Sequence, residues 1–527
     1  MRKRFVLVLV VLSLLAAACG DDDDDEGGGE GDGTTTTAPS EDPDGDVDPD
    51  GVARLAYDLA SVSQGGFTWD PAAGPSTGSS QLGPHHWVYG GLMRKTADGE
   101  LVPDLAESAT LVDANTITIV MREDLTLSDG STPLDAETMK AILDANIARG
   151  VGWPGYRPGF FDLKTVDLTD DTTLTLNIAG TAASWYDLYL YGQETVPAPP
   201  DTDFSDPIGA GPFMIEDYSE AQSLTLVKNP EYWDAESIDL AGIELTNVGA
   251  DVQAGVSALN AGQVDWTRLD PATIPAVADP ERVVRSDDPQ YLTQMIFCKS
   301  EAPLDDVLVR QAFNHAVDRD AINDALYGGG GAPAWDLWPD GHRLHNEDTE
   351  DAYPYDPEEA IALLEEAGVE DLTLDFIPHS SVLSLGEIIK QQFEEIGVTL
   401  NIIQSTAFAD DLLGPAAKAP MGIVPRGGAD RGKLDNLSGS TLGNICQYSD
   451  PEIDELVAEL KLVSDSSDEG AEIWKEIDAI YSEDALALPI IFQPVVYGLD
   501  TERIGGYSLM VESTVAVPDM WELYVKA

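Results

Sequence analysis

The stretch LTLDFIPHSSVLSLGEIIKQQFEEIGVTLNII, residues 372–403, sets the architecture. LTLDFIP reads as a strand, SLGEIIKQQFEEIG as an amphipathic helix closed by glycine, and VTLNII as a second strand. A strand, a crossover helix and a strand predict a parallel βαβ unit, because neighbouring parallel strands need a long connection.

The same logic extends in both directions. In YPYDPEEAIALLEEAGV, residues 353–369, Asp356 can cap a helix, Pro357 fits its first turn, Glu358 and Glu359 suit its positive end, and Gly368 closes it. Ala360, Leu363, Leu364 and Ala367 supply the apolar stripe. VRQAFNHAVDRDAI, residues 309–322, puts Val309, Ala312, Phe313, Ala316 and Val317 on one face, and DPEIDELVAEL opens another capped helix at Asp450 and Pro451. Upstream, Asn115–Val120 and Thr172–Ile178 alternate with period two, the mark of half-buried strands. The body is α/β.

With 527 residues, 43% of them hydrophobic, the chain is long enough for two or three subdomains. Its 96 acidic and 28 basic residues give a formal net charge of −68. Such a field repels nucleic acid and anionic lipid surfaces, so neither is expected as a direct partner. Residues 20–51 hold only fourteen of the acids, so the folded part is itself acidic, which speaks to solubility rather than to a site.

The start of the chain assigns a compartment. Met1 to Arg4 are mostly basic, Phe5 to Leu15 are apolar, and Ala16, Ala17 and Ala18 precede Cys19. The layout is that of a secretory signal, too short for a permanent span of about 20 residues. Cys19 after small residues resembles the lipobox of bacterial lipoproteins, although Ala16 stands where leucine is usual. Residues 20–51, nearly all Gly, Asp, Glu, Thr, Ser and Pro, cannot bury a core and read as a solvated tether. Cys298 and Cys446 then remain as an even pair in an oxidising compartment, open to a disulfide or to two separate buried thiols.

The stretches VYGGLMRKTADGELVPDLAES (88–108), LSDGSTPLDAETMKAIL (127–143), PIGAGPFMIEDYSEAQSLTLVKNPEYWD (207–234), ALNAGQVDW (258–266), PLDDVLVRQAFNHAVDRDAI (303–322), QQFEEIGVTL (391–400) and SDPEIDELV (449–457) run colinearly. Together they resemble the family 5 extracellular solute-binding proteins, the oligopeptide-, dipeptide- and nickel-binding proteins of ABC importers. The resemblance implies a large two-lobed, periplasmic-binding-protein-like α/β fold with an inserted subdomain. With the signal peptide at 1–18 and the tether at 19–51 read from the residues above, the resemblance places lobe I at 52–83, 205–295 and 488–527. The inserted subdomain falls at 84–204 and lobe II at 296–487. Gly209 and Gly211 suit a tight turn before a strand, and Tyr232 and Trp233 suit packing rather than ligand contact.

Cargo is read where the chain departs from the family. Many relatives carry a Gly-Trp stretch followed by acids in the second lobe, with an aspartate that pairs with a peptide amino group. PMGIVPRGGADRGKLDNL, residues 420–437, lacks that tryptophan and sets Arg426 and Arg431 around Asp430. A guanidinium fork suits carboxylate, so an anionic group on the ligand is one expectation; arginines balancing local acids is the other. Phe67 and Trp69, and Trp335 and Trp338 in GGGGAPAWDLWPDG, are candidates for an apolar wall along a cleft or for plugs of a subdomain seam.

Rival functions fit less well. GPSTG, residues 74–78, matches G-x-S-x-G but sits among Pro and Gly rather than between a strand and a helix. Asp46–Gly51 opens like a calcium loop, yet Tyr57 stands where its closing glutamate belongs. His85 and His86 are adjacent, a poor chelate, and His315 lies on a polar helix face. No metal site, cofactor or enzymatic activity is expected. The reading is a monomeric, lipid-anchored, extracytoplasmic receptor that delivers peptides or a similar solute to a permease. A nickel-chelate or other small-solute receptor, or a surface adhesion or signalling protein, are the alternatives.

Overall fold

In the computed structural model, Thr373–Pro378 and Thr399–Ile402 pair in parallel, Thr373 opposite Thr399 and Phe376 opposite Ile402, with helix Leu383–Glu395 as the crossover. The structure describes residues 47–59, 68–71, 82–96, 101–149, 163–179, 182–192, 195–199, 202–249, 251–270, 273–285, 291–379, 382–405, 408, 411–412, 417–426, 437, 445–464, 467–512 and 515–527. Among these residues no helix is long and apolar enough to cross a membrane.

The βαβ unit belongs to a six-stranded sheet ordered Ala332–Pro333, Ala487–Gln493, Tyr291–Phe297, Met421–Arg426, Thr373–Pro378, Thr399–Ile402. Leu385, Ile389 and Phe393 of the crossover helix are buried against it. Phe393 meets Phe313 of helix Val307–His315 with ring centroids 4.7 Å apart. The capping residues act as expected: Asp356 accepts from the Glu358 and Glu359 N–H groups, Asp450 from those of Glu452 and Ile453, and Gly368 takes φ 71°. Cys298, one residue beyond Tyr291–Phe297, is bridged to Cys446, with Cα atoms 5.2 Å apart.

A second, seven-stranded sheet is ordered Val283–Arg285, Val496–Leu499, Trp266–Leu269, Val52–Tyr57, Gly242–Asn247, Ser223–Lys228, Phe213–Ser219. Val52–Tyr57 pairs in parallel with both of its neighbours. The sheet is locked at one end by Asp265, only 1% exposed, which accepts from Arg54 Nη2 at 2.5 Å and also pairs with Arg503. Two boundaries expected from sequence move. Residues 295 and 296 both lie within Tyr291–Phe297 of the six-stranded sheet, and residues 488–493, expected in the first lobe, continue the strand Ala487–Gln493 of that same sheet. Burial on both faces makes such strands plain apolar runs, and no pattern in them says which sheet they join.

Between these pieces a four-stranded antiparallel sheet, Ala106–Asp113, Thr116–Met121, Thr173–Ile178 and Leu163–Leu168, forms the inserted subdomain. Its period-two pattern is real: Ile117, Ile119, Leu174 and Leu176 are buried with Met139, Ile142 and Leu143 of helix Ala136–Arg149. The signature glycines have a different cause from the expected turn. Neither Gly209 nor Gly211 takes a left-handed φ. A Cβ on Gly209 would lie 2.1 Å from the Val88 carbonyl oxygen, and one on Gly211 2.6 Å from that of Trp87, so both are needed for backbone-to-backbone contact with helix Leu82–Tyr89.

Candidate ligand-binding cleft

In open α/β sheets, ligands bind outside the carboxyl ends of the parallel strands, where strand order reverses. In the seven-stranded sheet that point lies at Val52–Tyr57, flanked by parallel neighbours on both sides. Its edge is formed by Asp58, Val248 and Asp270, just past the ends of the three parallel strands. In the six-stranded sheet, Pro378 and Arg426 close parallel strands, and the antiparallel Tyr291–Phe297 begins beside Arg426, with Leu292 opposite it.

Both connections between the sheets leave from these same edges. One runs from Arg285 to Tyr291, the other from Gln493 to Val496. Register confirms the placement: Arg285 and Leu269 both pair with Val496, and Tyr291 pairs with Gln493. The carboxyl edges of both sheets therefore border one pair of crossovers, which is the geometry of a hinged cleft.

The crossovers carry neutral polar groups. Gln493 donates to Thr293 Oγ1 at 2.6 Å, and its side chain also meets the Tyr327 hydroxyl. Burial, with Tyr291 nearby, pushes Tyr327 up to about 12. On the six-stranded edge His379 packs edge-on against Phe408, ring centroids 5.0 Å apart, and burial lowers its pKa.

The sequence candidates scatter. Arg426 ends its strand at the edge just described. Phe67, Asp430, Arg431, Cys19 and GPSTG lie outside the described residues. Trp69 is 2% exposed, its ring against His85, Tyr89 and Tyr218. Trp338 is 1% exposed, stacked on His342 and edge-on to Trp474. Both are buried in hydrophobic clusters of this structure. Trp335 is half-buried over the Arg319 guanidinium, 4.3 Å from ring centroid to carbon.

His85 and His86 are buried, and burial lowers each to about 4, so both are neutral. Cys298, Glu301 and Cys446 bring three metal-ligand atoms together, but two of them are the bridged sulfurs. Sequence reasoning missed Arg285, Tyr291, Tyr327 and Gln493 at the crossovers. The glycine run at 328–331, read from the sequence only as the loop that carries Trp335 and Trp338, is the nearest signal to them.

Residues 100–434 match the family model of the bacterial extracellular solute-binding proteins, family 5 Middle. Heme-binding protein A of Haemophilus influenzae is 27% identical over 398 residues, 69% of this chain and 70% of that protein. The dipeptide-binding protein of Pseudomonas aeruginosa is 26% identical over 387 residues, 69% of this chain and 71% of that protein. Among solved structures, the unliganded open form of the periplasmic murein tripeptide binding protein MppA superimposes with a TM-score of 0.75 at 17% identity, covering 92% of this chain and 99% of that one. The periplasmic binding protein DppA of Helicobacter pylori, in complex with the peptide STSA, gives 0.70 at 18% identity, covering 90% and 98%.

Proposed function

The chain belongs to the bacterial extracellular solute-binding proteins of family 5, and from that premise we propose that it is the solute receptor of an ABC importer, capturing peptides or a similar amine- and carboxylate-bearing solute between its two lobes. The observation that carries this reading is the convergence of both sheets' carboxyl edges on one pair of crossovers, with Arg426 at the end of its strand on one edge and the acids Asp58 and Asp270 on the other. A ligand with a carboxylate for one lobe and an amine for the other matches that polarity.

Ligand bridges the lobes and favours the closed form in proportion to its better binding there; the closed form docks on the permease. Cys19 carries the lipid and residues 20–46 serve as the tether; the expected tether ends short of 51, because Val47 bridges Lys526 and the Asp48 N–H donates to the Val525 carbonyl at 2.8 Å, which puts 47–51 in the folded body. Relatives named for heme and for dipeptides share the scaffold, so the cleft's own residues select the cargo rather than the fold.

The test is thermal unfolding of the protein expressed from Gly20 onward, so that no lipid is attached, with and without mixed short peptides bearing free or amidated carboxyl termini. At about 100 times the dissociation constant a ligand adds about 2.7 kcal/mol, a visible rise in midpoint. A rise abolished by amidation supports carboxylate recognition. No rise with ligand-free protein excludes peptides as the cargo.

A further inference from the structure

Both crossovers bear on a single turn of the six-stranded lobe, Tyr327 to Gly331, which follows helix Arg319–Tyr327. From the second crossover, the Gln493 side chain meets the Tyr327 hydroxyl, and Tyr291, the first residue after the other crossover, lies close enough to act on the same hydroxyl. From the seven-stranded lobe, the last residue before the first crossover reaches over as well. The Arg285 side chain lies against Gly330 so closely that a Cβ there would stand 2.8 Å from Arg285 Nε.

The turn is built to stay still. Gly328 and Gly329 take φ 60° and 74°, which ends the helix abruptly. The Asn323 side chain then clamps Gly331 twice, Nδ2 donating to its carbonyl at 2.9 Å and Oδ1 accepting from its N–H at 2.8 Å. Gly330 N–H donates to the Tyr327 carbonyl at 3.1 Å, and Gly331 packs on Ile491 and Phe492. Four glycines in a row thus form a fixed ledge rather than a flexible linker.

We propose that the turn Tyr327–Gly331 is the fulcrum of lobe closure, with Arg285 resting on Gly330 and the Gln493 side chain beside Tyr327, so that these residues set the balance of open and closed forms. The proposal rests on the receptor reading above. Rotation about two crossovers changes what each of them meets on a fixed ledge, and a contact present in one state and altered in the other biases the equilibrium by that difference. Gly330 is the informative position because its own φ is not left-handed, so a larger residue needs no left-handed backbone; its Cβ meets Arg285 Nε first, at 2.8 Å, and the Tyr327 carbonyl oxygen at 3.2 Å.

The experiment places spin labels on the exposed positions Glu236 and Glu394, one in each lobe, and records the interlobe distance distribution by pulsed dipolar spectroscopy. Gly330→Val and Arg285→Ala are each expected to shift or broaden the ligand-free distribution while leaving the unfolding midpoint unchanged. Their effects are expected not to add in the double variant, because both remove one contact. Tyr327→Phe is the independent variant at the other crossover. For the peptide pool used above, apparent affinity is expected to change about threefold to tenfold, following the altered competent fraction. Distributions of all three variants that superimpose on the parent overturn the fulcrum. If instead the parent does not respond to the peptides, peptide capture fails, while the ligand-free distributions still decide the fulcrum.

Discussion

The Tyr232 hydroxyl donates to Asp104 Oδ1 at 2.7 Å across 128 residues of sequence, so an aromatic of the first lobe is bonded to a carboxylate of the inserted subdomain. Trp233 Nε1 shares the same oxygen at 2.9 Å, and the Gly91 N–H reaches the other at 3.2 Å. The NPEYWD signature is thus a seam between subdomains.

That contact makes a first prediction. Asp104 is 1% exposed, and burial pushes its carboxyl above the usual carboxylate range despite these donors. Tyr232→Phe keeps the ring and removes one donor from a buried carboxylate, which is expected to cost about 1–3 kcal/mol in urea unfolding. A variant as stable as the parent would show that the hydroxyl contributes nothing to the seam.

Among the described residues Arg319 is held by carbonyl oxygens rather than by a carboxylate. Nε donates to Ala334 at 2.8 Å and Pro489 at 2.9 Å, and Nη1 to Asn314 at 3.1 Å, while Trp335 covers the guanidinium plane. A lysine ammonium cannot reproduce this planar fork. Arg319→Lys is expected to lose about 3 kcal/mol or more, since several buried carbonyls lose their donor at about 1–3 kcal/mol each. A loss below about 1 kcal/mol in denaturant unfolding would contradict that assignment.

The Cys298–Cys446 bridge closes a sequence separation of 148 residues. Restricting so long a loop in the unfolded chain stabilises the fold, and removal typically costs roughly 2–5 kcal/mol. Cys446→Ser is expected to lower stability within that range and to abolish the response of the midpoint to dithiothreitol. If the parent itself does not respond to reductant, the bridge carries no stability.

These residues also mark how far the sequence could be read. The βαβ unit at 372–403 and the caps Asp356 and Asp450 were legible because local geometry alone demands their residue types. Arg319 was not: on a helix face an arginine reads as solvated, and only distant carbonyls explain its burial. Tyr291–Phe297 looks the same whichever sheet it joins, so the lobe boundary was misplaced by ten residues or fewer, from 295 back to Arg285. Of the candidate site, Arg426 could be placed by its strand, whereas Trp69 and Trp338 could not be told from core aromatics without knowing what covers them.

Asp519 supplies a pH-dependent prediction. It is fully buried, its Oδ1 accepts from the Trp521 N–H at 3.0 Å, and its Oδ2 has no hydrogen-bond partner among the described residues. Burial pushes its carboxyl up to about 6, against the opposing pull of the Trp521 N–H and of Arg94. An unfolded aspartate titrates near about 3.9, so between these values the folded chain binds the extra proton. The resulting stability is fully present below about pH 4 and is lost as pH rises through about 6. Asp519→Asn removes the titration, so the stability of the variant relative to the parent is expected to grow by roughly 2–3 kcal/mol between about pH 4 and pH 8. Urea unfolding of both proteins across that interval measures the difference directly. A difference that stays constant with pH would mean that Asp519 is ionised throughout, and that Arg94 compensates its burial more fully than the geometry indicates.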